Sequence, residues 1–132
     1  MLREIGEAMQ IGCACASGRT APNIVLSSME RFAGEYEAHM KRKSCKALVC
    51  AAYVTFHILP QLCNGCGACA EECPEDAIAG GKGKIHVVDQ ESCEKCGRCY
   101  EVCLDLQSAV VKAGTVKPRT PKRPVPVGSW EG

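Results

Sequence analysis

Cys63-Asn-Gly-Cys66-Gly-Ala-Cys69-Ala-Glu-Glu-Cys73-Pro74 and, thirty residues on, Cys93-Glu-Lys-Cys96-Gly-Arg-Cys99-Tyr-Glu-Val-Cys103 decide how this chain folds. Each run has the spacing C-x2-C-x2-C-x3-C, by which a chain wraps a cubane iron–sulfur cluster. Every iron of a cubane takes one soft thiolate, and two-residue gaps let three successive thiolates reach three corners from one loop. The fourth cysteine of a run, at the start of a helical turn, points away and serves the other cluster. The spacing therefore predicts one cluster on Cys63, Cys66, Cys69 and Cys103, and a second on Cys93, Cys96, Cys99 and Cys73. Gly65, Gly67 and Gly97 leave room for the loops to turn about the inorganic core and aim backbone N–H groups at its sulfurs. The halves differ after the fourth cysteine. Pro74 follows Cys73, Leu104 follows Cys103, and the apolar pair comes two residues later in the second copy.

Composition fits this reading. Twelve cysteines in 132 residues signal either a disulfide scaffold or metal sites. Residues 1–12 are amphipathic and carry acids, with no apolar stretch of the secretory kind, so thiolates held on metal in a reducing cytoplasm are the better account. No apolar run is long enough to span a membrane. Net charge is +1 but unevenly placed, with five bases and nine acids over residues 60–112 and four bases and one acid over 113–132. An acidic middle with basic flanks suits docking among protein partners. No basic groove interleaved with aromatics argues for nucleic acid.

Outward from the cysteine runs, residues 54–59 read as a strand closed by Pro60, residues 80–84 as a turn, and residues 85–88 as another strand. His57 and His86 fall in strand patterns, which makes them surface or structural histidines rather than ligands. Cys63 onto Cys93, Gly67 onto Gly97 and Cys73 onto Cys103 form an internal repeat. After Gly114 the chain becomes basic and proline-rich, an extended tail that either lies along a neighbouring subunit or has no fixed structure.

Before the cysteine runs, residues 2–11 have helical periodicity. A small-residue turn holding Cys13 and Cys15 follows, and Thr20 and Pro22 read as the cap and first turn of a helix reaching about Arg42. Val25, Met29, Phe32, Tyr36 and Met40 recur on one face, which the pattern predicts to pack on a core. Lys41-Arg42-Lys43 suits the helix's C-terminal dipole. His39, Cys45 and Cys50 form H-x5-C-x4-C, three zinc ligands within twelve residues, with Cys13 or another chain as source of the fourth. The alternative is that Cys45 and Cys50 are plain buried thiols on a short apolar helix over 46–53.

Residues 63–112 resemble bacterial two-cluster ferredoxins. The stretch Leu2-Arg-Glu-Ile-Gly-Glu-Ala-Met-Gln-Ile-Gly-Cys13-Ala-Cys15-Ala-Ser-Gly-Arg-Thr-Ala-Pro-Asn23, with Glu35-Tyr-Glu-Ala-His39, resembles the C-terminal part of the NADH-binding flavoprotein subunit. That subunit occurs in complex I and in soluble NAD(P)-linked hydrogenases and formate dehydrogenases, some of them electron-bifurcating. In the soluble enzymes a Cys-rich linker and a two-cluster ferredoxin domain follow it, the order found here. The resemblance implies that Cys15 is the last ligand of a further [4Fe–4S] cluster beside a flavin. Its three companion cysteines and the FMN and NADH sites are not in this sequence: either another polypeptide supplies them, or this is a truncated or split form in which Cys15 is orphaned, and Cys13 beside it is an alternative ligand. The implied fold class is α+β, a helical N-terminal segment followed by a 2[4Fe–4S] ferredoxin-like domain with a pseudo-twofold internal repeat. The divisions expected are a helical segment over 1–44, a Cys-containing linker over 45–53, the ferredoxin domain over 54–113 and the tail over 114–132.

No dinucleotide fingerprint or nucleophile–base pair accompanies these motifs, so the chain is expected to have no catalytic site of its own. The leading expectation is an electron-transfer subunit of a cytoplasmic, multi-subunit NAD(P)-linked oxidoreductase. It would sit among flavoprotein and catalytic subunits and exchange electrons with a soluble ferredoxin. The alternatives are a free-standing low-potential ferredoxin and a zinc-tied structural hinge.

Overall fold

The computed structural model describes residues 1–131, which fall into two compact units, one of residues 1–43 and one from Ser44 onward. The first unit is helical, with α1 (Leu2–Gly12), α2 (Ala16–Thr20), α3 (Pro22–Arg31) and α4 (Ala33–Arg42). Glu4 in the first turn of α1 pairs with the N-terminal ammonium at 3.0 Å, where an acid suits the helix dipole. Pro22 opens α3 as expected, but Thr20 does not cap it. Its hydroxyl donates back to the Ala16 and Ser17 carbonyls, as a residue inside the preceding helix does.

The expected single helix to Arg42 is broken at Phe32, whose backbone leaves the helical region. Gly34, a poor helix former, follows, and a 2.8 Å hydrogen bond between the Ser28 and Tyr36 hydroxyls spans the break. The face expected to pack on a core is largely exposed: Val25 at 47%, Phe32 at 52% and Met40 at 65%. Only Gly6 and Pro22 are buried in these helices. Gly6 lets Leu26 of α3 approach α1, but four short helices cannot enclose an apolar interior of their own.

The second unit mixes strands and helices. It contains β1 (Thr55–Ile58), α5 (Ala68–Glu71), β2 (Ile78–Ala79), β3 (Lys84–Ile85), β4 (Val87–Val88), α6 (Arg98–Leu106), β5 (Val110–Ala113) and β6 (Val125–Pro126). Strands β1 and β5 pair antiparallel, from Thr55 opposite Ala113 to Ile58 opposite Val110. Strands β2 and β4 do the same, with Ile78 opposite Val88. The strand expected over 85–88 is divided at His86, because its two parts serve different neighbours: β4 pairs with β2, and β3 pairs with β6 of the tail. The apolar helix offered for 46–53 is instead a turn, with Leu48 at φ +53°, and a 3-10 turn over Ala51–Tyr53.

The tail takes neither of its expected forms. It returns to its own unit, where β6 covers Ile85, and Val125 and Trp130 pack on the core. That core is small. Phe56, Ile58, Ile78, Ile85, Val88, Ala109 and Val110 share it with Cys63, Cys69, Cys99 and Cys103. The two halves around it also differ in helix length. Pro74 disfavours the helical conformation at the residue before it, and α5 ends at Glu71, whereas Leu104 lets α6 continue to Leu106. That extra turn absorbs the two inserted residues. Both halves then resume alike, with Asp76 and Ser108 at positive φ and the following alanine carbonyl accepting a strand N–H, Asp89 to Ala77 at 2.7 Å and Leu59 to Ala109 at 2.8 Å.

Candidate metal centres

Each cysteine loop is shaped by its own short-range bonds. In the first, the Cys63 N–H donates to Leu59, and the Asn64 side chain accepts from the Cys66 N–H at 3.0 Å. In the second, Asp89 accepts from the Glu91 N–H at 3.0 Å and the Ser92 hydroxyl at 2.8 Å, and its backbone carbonyl holds the Cys93 N–H. These bonds, the Glu91 N–H first, hold the Asp89 carboxyl below its ordinary range. Both loops end on a left-handed glycine, Gly67 or Gly97, that starts the next helix. Two positions earlier the loops diverge. Gly65 at φ +72° lies so close to the Lys84 backbone that a Cβ would stand 2.7 Å from its nitrogen, whereas the second loop carries Lys95 at φ +61°. Only glycine fits the first place.

The loops and helices enclose two cavities. One is lined by Cys63, Cys66, Cys69 and Cys103, the other by Cys73, Cys93, Cys96 and Cys99. The non-atom space in and around them is alike, about 310 Å³ and 330 Å³. Helices α5 and α6 pack against one another, and each carries the third thiol of its own loop. The fourth thiol, Cys73 just past α5 and Cys103 on α6, faces the opposite cavity.

Electrostatics marks the same sets. Burial pushes the Cys69 thiol up to about 12, reinforced by Cys103, Cys63, Cys99 and Cys66. Burial likewise raises Cys99 to about 11, followed by Cys93, Cys96 and Cys73. The buried Cys69 and Cys99 thiols hold their protons until a cation takes their place, so metal loading releases protons there. Four soft donors around each of two equal cavities are the chemistry a cubane requires.

Around the thiols the cavities differ. The first is also lined by Asn64, His86 and Gln107, and the Ala109 N–H donates to Cys103 Sγ at 3.3 Å. The second is lined by Phe56, Pro74, Glu75 and Glu94. His57 and His86 are both buried, at 9% and 2% exposure. Burial lowers the pKa of each, joined at His57 by the Lys117 charge and opposed at His86 by the Lys84 backbone.

In the first unit, Cys13 and Cys15 converge on Gly18, whose N–H donates to Cys15 Sγ at 3.4 Å and where a Cβ would meet Cys13 Sγ at 2.9 Å. Cys15 is exposed. On α4, His39 Nδ1 donates to the Glu35 carbonyl at 2.8 Å. In the second unit, the hydrogen bond that the Cys50 thiol shares with Cys45 holds its proton and raises its pKa, helped by burial and by the Cys45 charge. No sequence signal pointed to Asn64, Gln107 or Glu94 as cavity walls. The strand pattern marks His86 only as a surface or structural histidine, not as a cavity wall.

Residues 56–104 match the family model described as a 4Fe-4S dicluster domain. Residues 1–39 match the NADH-ubiquinone oxidoreductase-F iron-sulfur binding region. The chain is 44% identical over 85 residues to the NADP-reducing hydrogenase subunit HndC of Solidesulfovibrio fructosivorans, an alignment covering 64% of this chain and 17% of that protein. It is 46% identical over 41 residues to one of the subunits of the Na(+)-translocating ferredoxin:NAD(+) oxidoreductase complex of Acetobacterium woodii, covering 31% of this chain and 12% of that one. Ferredoxin-1 of Chlorobaculum tepidum is 39% identical over 59 residues, 40% of this chain and 86% of that protein. The chain thus spans a small fraction of the two oxidoreductase subunits and most of the ferredoxin. No helix among the described residues is long and apolar enough to cross a membrane.

Proposed function

Since the chain belongs to the dicluster 4Fe-4S ferredoxin family, we propose that it is the iron–sulfur electron-transfer portion of a multi-subunit NAD(P)-linked oxidoreductase of the hydrogenase or formate dehydrogenase kind, including bifurcating forms. Its two clusters relay electrons between a flavoprotein partner and a catalytic subunit or soluble ferredoxin in the cytoplasm. One observation carries this reading. A 4Fe-4S dicluster domain is joined in one chain to an NADH-ubiquinone oxidoreductase-F iron-sulfur region that carries no closed core of its own. A free carrier has no use for that helical extension, and its exposed apolar face is suited to a protein partner.

Cys63, Cys66, Cys69 and Cys103 hold the first cluster, and Cys73, Cys93, Cys96 and Cys99 the second. The fold of that domain is a ferredoxin-like pseudo-twofold, supported by the equivalent hydrogen bonds at Ala77 and Ala109. In the same reading, residues 1–44 are the flavoprotein-like segment, 45–53 the linker and 114–132 the tail. Cys15 serves a third cluster shared with a partner chain. His39, Cys45 and Cys50 take zinc, with Cys13 or an outside residue as fourth ligand. The Nδ1 bond of His39 and the closeness of the Cys45 and Cys50 thiols support that set.

Purification from the native source tests the proposal. Co-elution with a flavoprotein and a second catalytic subunit is expected. A chain that elutes alone, and whose electron delivery survives removal of residues 1–53, would instead be a free ferredoxin.

A further inference from the structure

We propose that the two clusters are not equipotential: His86 donates its Nδ1–H to a sulfur in the first cavity, making that cluster the electron sink of the pair. The inference rests on the two-cluster reading and concerns what surrounds each cluster. His86 is 2% exposed and is one of the residues lining the first cavity, and its Nδ1 has no hydrogen-bond partner among the described residues. A buried ring nitrogen without a partner is costly, and a cluster or thiolate sulfur in that cavity would satisfy it.

The ring is held there from two sides. It occupies the break between β3 and β4, and it lies so close under Gly80 that any side chain at that position would overlap it. The other polar lining groups reinforce the difference. The first cavity has the Asn64 and Gln107 amides and a backbone N–H on Cys103 Sγ. The second has the Glu75 and Glu94 carboxylates and no imidazole.

Reduction adds one negative charge to a cluster. Hydrogen-bond donors stabilise that charge and raise the potential, whereas carboxylates oppose it and lower the potential. Both differences act in the same direction. Electrons shared between the clusters collect on the one held by Cys63, Cys66, Cys69 and Cys103, so the second cluster is the site of lower potential.

The test is a redox titration of the full chain, both clusters loaded, followed by electron paramagnetic resonance. Two separate one-electron steps are expected. His86→Phe keeps a planar ring without the donor. It should lower the reduced-to-oxidised ratio of the upper step about tenfold at fixed potential, equivalent to about 59 mV, and leave the lower step in place. His86→Gln, which keeps an N–H, should recover most of the shift. Glu75→Gln with Glu94→Gln, on exposed side chains that folding does not need, should raise the lower step alone. Coincident steps in the unsubstituted chain, or a His86→Phe chain in which both steps move or neither does, would overturn the proposal. Iron analysis well below about eight per chain would count against the two-cluster reading instead.

Discussion

Gly65 and Lys95 hold the same place in their loops, two residues after the first cysteine, and both adopt positive φ. Only Gly65 abuts another backbone. Gly65→Ala is therefore expected to cost at least about 1–3 kcal/mol and to destabilise the first cluster selectively, since the Lys84 backbone has no rotamer by which to yield. Lys95→Gly should be tolerated. Following the loss of cluster absorbance in guanidinium would separate the two variants. The crossing ligands give a second prediction at this scale. Cys103→Ser and Cys73→Ser should each reduce iron from about eight to about four per chain. They should remove different redox steps, Cys103→Ser the one that responds to His86.

At the scale of elements, the cysteine spacing made legible the two loops and the sets of four cysteines that line each cavity, because ligand geometry leaves the chain little choice. Lengths and breaks were less legible. The helix over 22–42 has an unbroken apolar period, and nothing in that period reveals the stop at Phe32. Nor does it show that the apolar face stays exposed, since an outward-facing stripe and a buried one have the same pattern. The strand over 85–88 is β-branched throughout except at His86, and its division depends on β6, forty residues away in a stretch whose prolines suggest no pairing. That pairing makes a prediction. Removing residues 115–132 uncovers Ile85, now 0% exposed, and should lower stability by ~1.5–3 kcal/mol in denaturant titration. The histidine on β1 predicts a pH dependence. His57 has a folded value lowered from 6.5, so its neutral ring contributes stability that is present above that pH and lost as pH falls below it. The denaturant midpoint of the loaded chain should drop between pH 7.5 and 5.5. Lys117→Gln should lessen the drop, because the Lys117 charge is one cause of the His57 shift.

At the scale of the whole molecule, four of the buried groups in the second unit's core are thiols of the two cysteine runs, so the apolar residues around them do not make a self-sufficient interior. Stripping the iron should abolish near-UV circular dichroism and cooperative unfolding in that unit, and anaerobic reconstitution should restore both. Metal analysis of the loaded chain should find zinc at about one per chain beside the iron if His39, Cys45 and Cys50 act together, and His39→Ala should remove it. The exchange of Cys73 and Cys103 between the halves that we propose also bears on how the molecule is made. A ribosome delivers Cys63, Cys66 and Cys69 first, yet the fourth corner of their cluster arrives only with Cys103, after the whole second loop has been synthesised. The first cluster is thus the one completed last. Until then the nascent chain presents a three-thiolate half-site, open to whatever carrier hands over the iron.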